Sequence, residues 1–450
     1  MKPLFGPNMV RQALVGHAAM GLLASALLYI VCVTGTLIVF YDELQRIEQP
    51  HAPEMAAIAP DALQRAVADV LTAERKAGKA PSTHLYIHLP VAPLPRATLI
   101  TDTQGLHVGP DGAVVTTEQN SWSEFLLDLH YALNLPALYG IMVVGALGVV
   151  MLALSLTGVI ALPRIFRDAF RLRTRQPGGV ALADWHNRLS VWTLPFSLAI
   201  ALTGAMIGLA TLAAYGIAAR YYKGDVTAAY APIFGGEGKP DTRPGGIPDV
   251  AGPLRYVTTR IPGVHPYYIV VHDPLTRGQH VQVLAEHPRR LIYGESYNFD
   301  AQGRYHGAAG LAEGALGQQA AASTYRLHFG NFGGLPVKIA YVVFGTALCA
   351  IVATGTYIWL GKRRRRGRHE PRLRAAWDGI VWGVPIALAA TFVARMAGGN
   401  AMPLTAIFWI GCAAIIGAGI AIGDRLPLAR WLPRAAAISL LACPLVWLAL

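Results

Sequence analysis

Seven apolar stretches alternate with polar segments along the chain. A membrane-spanning helix needs about 20 apolar residues, because it rises about 1.5 Å per residue across a hydrocarbon core about 30 Å thick. The pattern therefore predicts an all-α polytopic membrane protein with spans at 9–41, 123–162, 184–216, 323–361, 376–397, 403–423 and 430–450. The first stretch is too long for the core of a signal peptide and no A-x-A site follows it, so we expect an uncleaved span.

Two polar segments, 42–122 and 217–322, are long enough to fold between the spans. Each segment contains a stretch of helical periodicity. Short stretches follow it in which apolar and polar residues alternate, as is typical of strands. The predicted elements are a helix at 61–76 with strands near 84–89, 97–102 and 106–115, then a helix at 248–260 with strands near 267–272, 279–285 and 291–299. Each segment is thus predicted to form a small α+β domain.

The composition supports a membrane protein and helps to orient it. Hydrophobic residues make up 54% of the chain and charged residues 14%, whereas a soluble protein has about 25% charged residues. The net charge of +12 is concentrated in the loops 163–183 and 362–375, beside apolar stretches. This distribution favours a cytoplasmic location for both loops, so no nucleic-acid partner is expected. The N-terminus is then cytoplasmic, and both α+β segments lie outside, in the periplasm if the membrane is a bacterial inner membrane.

The basic loops contain Arg164, Arg167, Arg171, Arg173 and Arg175 in the first and KRRRRGRH in the second, and Arg425, Arg430 and Arg434 follow the sixth span. The four cysteines, Cys32, Cys349, Cys412 and Cys443, all fall within apolar stretches. Because no CxxC or CxxCH occurs, the sequence argues against cysteine-bound zinc, iron–sulfur clusters and covalently attached haem. The cysteines are expected to be small apolar core residues.

The first four spans form a duplication, in which a histidine precedes a Thr-Gly pair by nearly the same number of residues in the two copies of each unit. His17 stands 17 residues before Thr34, and His186 stands 17 residues before Thr203. His130 stands 27 residues before Thr157, and His328 stands 26 residues before Thr354. The Thr-Gly pairs are predicted to be packing devices, since glycine allows close approach of a helix or a flat macrocycle.

The topology sorts the four histidines into two pairs at different depths. His17 and His186 fall at the cytoplasmic ends of their spans, and His130 and His328 at the outer ends. Two imidazoles from facing helices are suitable axial ligands for a haem iron, so the set indicates two b-type haems in a four-helix core. The alternative is that each of the four histidines is an ordinary residue of the membrane–water interface. Pro136 and Pro336 follow the outer pair closely, so that pair is expected near the outer edge of the bilayer.

Three arginines lie near these histidines in the sequence: Arg11, Arg188 and Arg326. They are candidates to pair with haem propionates, although interfacial anchoring explains each of them as well. The remaining histidines lie in polar segments outside the repeat. His84 and His88 share one face of a predicted strand and are expected to be a solvated pair.

The phrases VGHAAMG, ADWHNRLSVW, RLHFGNFGG and YNFDAQGRYHG together resemble the PepSY-associated transmembrane family of iron-regulated membrane proteins, which includes ferric-siderophore reductases. The resemblance covers about residues 9 to 367. It implies two PepSY-like outer domains and two haem b groups with His17, His130, His186 and His328 as axial ligands. It also implies electron transfer outward to a ferric siderophore. Ser190 replaces a glycine common in the family, and the three C-terminal spans lie outside its usual four-span core.

Three functions are compatible with these observations. The first is a haem-dependent ferric-siderophore reductase, whose partners are the siderophore, membrane lipid and an external donor, either a quinol or a cytoplasmic reductase. The chain has no GxGxxG after a strand, so we expect no nucleotide-binding domain of its own. The second is a transporter of siderophore or metal, which calls for acidic residues along the spans. The third is a haem-free scaffold that binds other proteins through its outer domains.

Overall fold

The structure of the chain is a computed structural model. It describes residues 5–162, 164, 166, 170, 179–234, 241–287, 291, 295–309, 314–423 and 427–449, without the side chains of 232–234. The predicted basic residues Arg167, Arg171, Arg173, Arg175 and Arg425 lie outside the described residues.

The described part of the chain is mostly helical. Its α-helices are α1 (Pro7–Leu37), α2 (Tyr41–Glu48), α3 (Pro60–Lys76), α4 (Ser121–Ala132), α5 (Ala137–Ala161), α6 (Val180–Trp192), α7 (Leu194–Tyr221), α8 (Val226–Phe234), α9 (Ala251–Arg260), α10 (Leu316–Phe329), α11 (Gly334–Arg365), α12 (Pro371–Gly398), α13 (Leu404–Ile422) and α14 (Leu428–Ala449). Within those described residues, seven helices are long and apolar enough to cross a membrane: α1, α5, α7, α11, α12, α13 and α14. They correspond to the seven predicted spans.

Three predicted spans begin with a separate helix that carries the histidine. The predicted span 123–162 is divided into α4 and α5 because Leu133 and Asn134 adopt positive φ angles of 54° and 53° and Pro136 follows. Pro136 restricts the residue before it and cannot continue a helical hydrogen-bond ladder. Likewise, Gly330, Gly333 and Gly334, with φ angles of 66–68°, separate α10 from α11. His130 and His328 therefore lie on short helices that precede the spans. Thr193 separates α6, with His186, from α7.

The spans belong to a compact unit formed by residues 1–41, 121–209 and 333–450. Within it α1 packs against both α5 and α11, and α12 packs against α13 and α14. Small residues bring α5 and α7 close together: a Cβ added to Gly208 would lie 2.5 Å from the Cα of Gly145. Such contacts replace the hydrophobic effect, which lipid does not provide between helices.

Residues 42–120 and 210–332 form a second unit, built on one antiparallel sheet. The strands are β1 (His84–His88), β2 (Ala97–Ile100), β3 (Gly105–Val108), β4 (Val114–Thr117), β5 (His265–His272), β6 (His280–Glu286), β7 (Glu295–Phe299) and β8 (Tyr305–Ala309), in the order β4-β3-β2-β1-β5-β6-β7-β8. The predicted strand 106–115 is two strands joined by a turn that contains Gly112. The elements that the sequence did not predict are β8, α2 and α8, and α10 begins before the predicted span 323–361.

The two polar segments thus share one sheet, whereas the sequence analysis expected one small domain from each. Both contribute a helix followed by four antiparallel strands, and the two halves meet where β1 pairs with β5, His84 opposite His272 and His88 opposite Tyr268. One face of the sheet packs against α3 and α9, with Leu63, Ile87 and Ile269 all fully buried. Complete burial of each such side chain stabilises the unit by about 1.5–3 kcal/mol.

Candidate functional site

His17 on α1 and His186 on α6 come together inside the unit of spans. Their ring centroids lie 6.5 Å apart and their ring planes are nearly perpendicular, at 85°. With metal–nitrogen bonds of about 2 Å and about 1.2 Å from nitrogen to ring centre, an ion between two opposed imidazoles separates the ring centres by roughly 6–6.5 Å. The observed 6.5 Å spacing of His17 and His186 falls at the upper end of this range.

Hydrogen bonds determine which nitrogen of the His17 ring carries the proton. Nδ1 of His17 lies 3.1 Å from the carbonyl oxygen of Leu154 and 3.2 Å from Oγ1 of Thr157. The Thr157 hydroxyl donates to the carbonyl oxygen of Ala153 at 2.6 Å, so its oxygen accepts from the histidine. Both neighbours of Nδ1 are thus acceptors, and Nδ1 carries the proton. Nε2 then has a lone pair, which is the form of histidine that binds a metal.

His186 is held in the same way by the second copy of the repeat. Its Nδ1 lies 3.1 Å from the carbonyl oxygen of Ile351 and 3.0 Å from Oγ1 of Thr354 on α11. The Thr354 hydroxyl donates to the carbonyl oxygen of Ala350 at 2.6 Å. This duplicated arrangement gives both histidines of the pair the same tautomer.

The glycines of the Thr-Gly pairs make room for the imidazoles. A Cβ added to Gly158 or to Gly355 would lie 3.4 Å from Cε1 of His17 or His186, respectively. Sequence analysis predicted the pairs to be packing devices; the structure shows that they pack against histidine rings and orient them. The recurring offset between histidine and Thr-Gly pair was the signal for this role. The offset does not reveal the partner, since Thr157-Gly158 and Thr354-Gly355 each contact the histidine of a different helix.

His130 on α4 follows the same rule at the other end of the spans. Its Nδ1 lies 3.0 Å from the carbonyl oxygen of Val31 and 3.4 Å from Oγ1 of Thr34, both on α1. Gly35 lies against the ring, since an added Cβ would come within 2.6 Å of Cε1. Helix α1 therefore supplies one histidine, His17, and orients another. His328 lies on α10, in the sheet-containing unit, and its pairing with His130 stays a prediction.

The three predicted arginines lie in different surroundings. Arg11 is exposed near the start of α1. Arg188 is two residues from His186, which places it about 200° around α6, and its guanidinium lies 5.8 and 5.2 Å from the ring centres of Trp185 and Trp192. Arg326 is buried and forms an ion pair with Glu286. Among the described residues, Lys362 is the cation that interacts electrostatically with both His17 and His186, and sequence analysis missed it.

The histidines of the sheet form a separate group. His84 and His88 lie on β1 as predicted and are both partly exposed, and partial burial lowers the pKa of His88 to about 4. Burial also lowers the pKa of His107 to about 4. In the described part of the chain, no three His, Cys, Asp or Glu side chains are placed to hold a metal ion by themselves. A haem iron differs, because it needs only two protein ligands.

Comparison with known proteins agrees with the fold. The sequence profile of the PepSY-associated TM region matches residues 15–362, and the chain belongs to this family of membrane proteins. It is also similar to the uncharacterized protein PA4219 of Pseudomonas aeruginosa, with 26% identity over 269 residues. That match covers 56% of this chain and 66% of the relative, so the chain spans just under two thirds of the relative's length.

Proposed function

We propose that this protein is a haem-dependent oxidoreductase of a bacterial inner membrane that reduces ferric siderophore to release ferrous iron. The observation that carries the proposal is the pair His17 and His186, with its 6.5 Å ring spacing. The Nδ1 hydrogen bonds to Leu154 and Ile351, which leave Nε2 available on both rings, support it.

The pair of His17 and His186 supports one haem b group, and the histidine repeat of the sequence supports the proposal of a second. His17 and His186 would hold one haem at the basic end of the spans, which we define as the end with Lys362 and the arginines that follow it. His130 and His328 would hold the second. When bound, the haems supply one-electron chemistry between Fe(III) and Fe(II). The chain's own contribution is to fix the imidazole tautomers through Thr157, Thr354 and Thr34 and to exclude water with the surrounding spans.

The proposed substrate follows from the chemistry of iron. Siderophores bind Fe(III) through hard oxygen ligands, and the softer Fe(II) binds these ligands less well, so reduction releases the metal. We propose that the N-terminus and the basic end face the cytoplasm, which places the sheet in the periplasm. Electrons would then pass outward to a ferric chelate from an external donor.

A transport function has less support. A proton-coupled or metal transporter is expected to have acidic residues along a path through the spans. Among the described residues of the seven span helices, Asp378 is the one carboxylate, and it is paired with Arg374 at 3.2 Å. A single ion pair at one end of a span does not form a path.

The proposed function is tested with the purified protein in right-side-out vesicles. Ferrioxamine B and a membrane-impermeant ferrous chelator are supplied outside, and a reductant is supplied inside. We expect formation of the coloured ferrous complex with the wild type and its loss with His17→Ala. A His51→Ala variant, which changes an exposed loop histidine, serves as the matched control. Equal rates in the wild type and His17→Ala would contradict the proposal.

A further inference from the structure

A cavity of about 430 Å³ lies between α6 and α11 at the basic end of the spans. Val180, Leu182, Ala183 and Ile358 provide apolar walls, and its polar lining comprises Tyr357, Lys362, Arg365 and Arg374. Ala183 is three residues, or one helical turn, before His186. The cavity is therefore adjacent to the histidine pair, and its volume falls within the range of small-molecule sites, about 300–1,000 Å³.

A second cavity of about 570 Å³ lies beside the first, and Arg374 and Gly361 line both. Its lining includes the carboxylates of Glu370 and Asp378. The Tyr357 hydroxyl, which belongs to the wall of the first cavity, donates a hydrogen bond of 2.7 Å to Oδ1 of Asp378, which belongs to the wall of the second. One hydroxyl group thus connects the two cavities.

Asp378 is only 4% exposed although it lies within a span. Burial of a carboxylate in a membrane is costly, and such residues usually have a functional reason. Arg374 compensates its charge at 3.2 Å and also lies over the Tyr357 ring, 4.4 Å from its centre. Tyr357, Asp378 and Arg374 thus form a short hydrogen-bonded chain in which each polar group has a partner. Within this chain, the Asp378 carboxylate is the group that can accept a proton.

We propose that the first cavity binds a membrane quinol, the electron donor of the protein, and that Tyr357 and Asp378 remove its protons. This inference rests on the proposed function. A quinol hydroxyl gives its proton to the Tyr357 oxygen as the Tyr357 proton moves to Asp378, and the proton then leaves through the second cavity. Each quinol loses two protons and two electrons and becomes a quinone. The two electrons reduce two ferric ions of the substrate to ferrous ions.

The features of the cavity agree with this ligand class. A quinol is a lipid-soluble molecule with an apolar ring and two hydroxyl groups, and the cavity offers apolar walls at the ends of two spans. Lys362, Arg365 and Arg374 surround it with positive charge, which stabilises the quinolate anion that forms when the first proton departs.

The test uses the full-length, haem-loaded protein in nanodiscs with decylubiquinol as the donor, and haem reduction is followed by stopped-flow absorbance. We expect Tyr357→Phe and Asp378→Asn each to slow reduction by decylubiquinol about 100-fold, the usual scale of a lost proton-transfer group. The matched control is Tyr341→Phe, which removes a hydroxyl from the same helix at a ring packed 5.1 Å from Phe196. Reduction by dithionite should be equal in all four proteins, which shows that haem and fold are intact.

A second readout does not depend on haem. A photoreactive azidoquinone should label residues 179–183 and 357–365 and should be displaced by decylubiquinone. Labelling elsewhere, or unchanged decylubiquinol rates in both variants, would overturn the inference. A wild type that dithionite reduces and decylubiquinol does not would also overturn it, while leaving the reductase proposal standing. A protein without haem would contradict the proposed function instead, and the labelling would still decide the quinol site.

Discussion

Thr157 on α5 accepts a hydrogen bond from His17 on α1, with 3.2 Å between Oγ1 and Nδ1. The same relationship joins Thr354 to His186 at 3.0 Å and Thr34 to His130 at 3.4 Å. In each case the threonine comes from a different helix than the histidine. The repeat therefore encodes a set of exchanged contacts, in which one helix positions the histidine side chain of another.

Removal of the Thr157 hydroxyl should weaken the site at the basic end of the spans. Thr157→Val keeps the shape of the side chain and leaves Leu154 as the remaining acceptor for His17. Loss of a hydrogen bond behind a metal ligand usually lowers metal affinity 10- to 100-fold, and we expect roughly tenfold weaker haem retention, measured by transfer to apomyoglobin. Ser155→Ala is the control, because Ser155 bonds to the carbonyl oxygen of Met151 on its own helix. Equal effects of both changes would contradict this role.

Gly35 should tolerate a methyl group poorly. A Cβ at this position would lie 2.6 Å from Cε1 of His130, a distance that forces the ring to move. Gly35→Ala should therefore disturb the site of His130, seen as a changed redox potential or loss of one haem. Gly16→Ala on the same helix has nothing within 4 Å of the added atom and should behave as the wild type. A normal spectrum and potential for Gly35→Ala would show that the His130 ring is not held as described.

The C-terminal spans should stabilise the helix that carries His130. The indole N–H of Trp122 on α4 donates to Oγ1 of Thr391 on α12 at 3.1 Å, and its ring packs 4.9 Å from that of Phe392. Trp122→Phe removes the hydrogen bond and should cost about 1 kcal/mol, measured as a lower midpoint of thermal unfolding. Trp431→Phe changes a tryptophan that is 58% exposed and should have no effect. Equal midpoints for the two variants would argue against this support.

Acid should loosen the sheet through His107. Its Nδ1 lies 2.9 Å from Oγ1 of Thr98 and its Nε2 lies 3.2 Å from Oε1 of Gln49. Burial, together with the nearby Arg96 and His88, lowers the pKa of His107 from 6.5 to about 4. Between these values the unfolded state binds more protons than the folded state, so stability is complete above pH 6.5 and falls towards pH 4. The free energy of unfolding falls by at most about 3 kcal/mol over this pH range.

Hydrogen exchange of the amides in β3 measures this effect. After correction for the intrinsic rate, protection should fall between pH 6.5 and 4 in the wild type, and the fall should be smaller in His107→Gln. The same change in His51, which is exposed, should leave the pH dependence unaltered. An identical pH profile for the wild type and His107→Gln would contradict the assigned cause.

The sequence predicts the spans, most strands of both polar segments and the histidine repeat, because periodicity and spacing are local properties. It does not predict which helices pack together, so the contacts between His17 and Thr157 and the position of Lys362 emerge only in the structure. The single sheet was missed for a similar reason. The pairing of Tyr86 with Val270 joins strands that are far apart in the chain, and each segment alone has the elements of a small domain.

Haem content tests the central claim most directly. The full-length protein, purified from cells supplied with iron, should contain two b-type haems per chain in a pyridine haemochrome assay. His17→Ala and His186→Ala should each contain one, because each removes a ligand of the same iron, and the double variant should also contain one. Absence of haem from a folded preparation, or unchanged content in both single variants, would contradict the account.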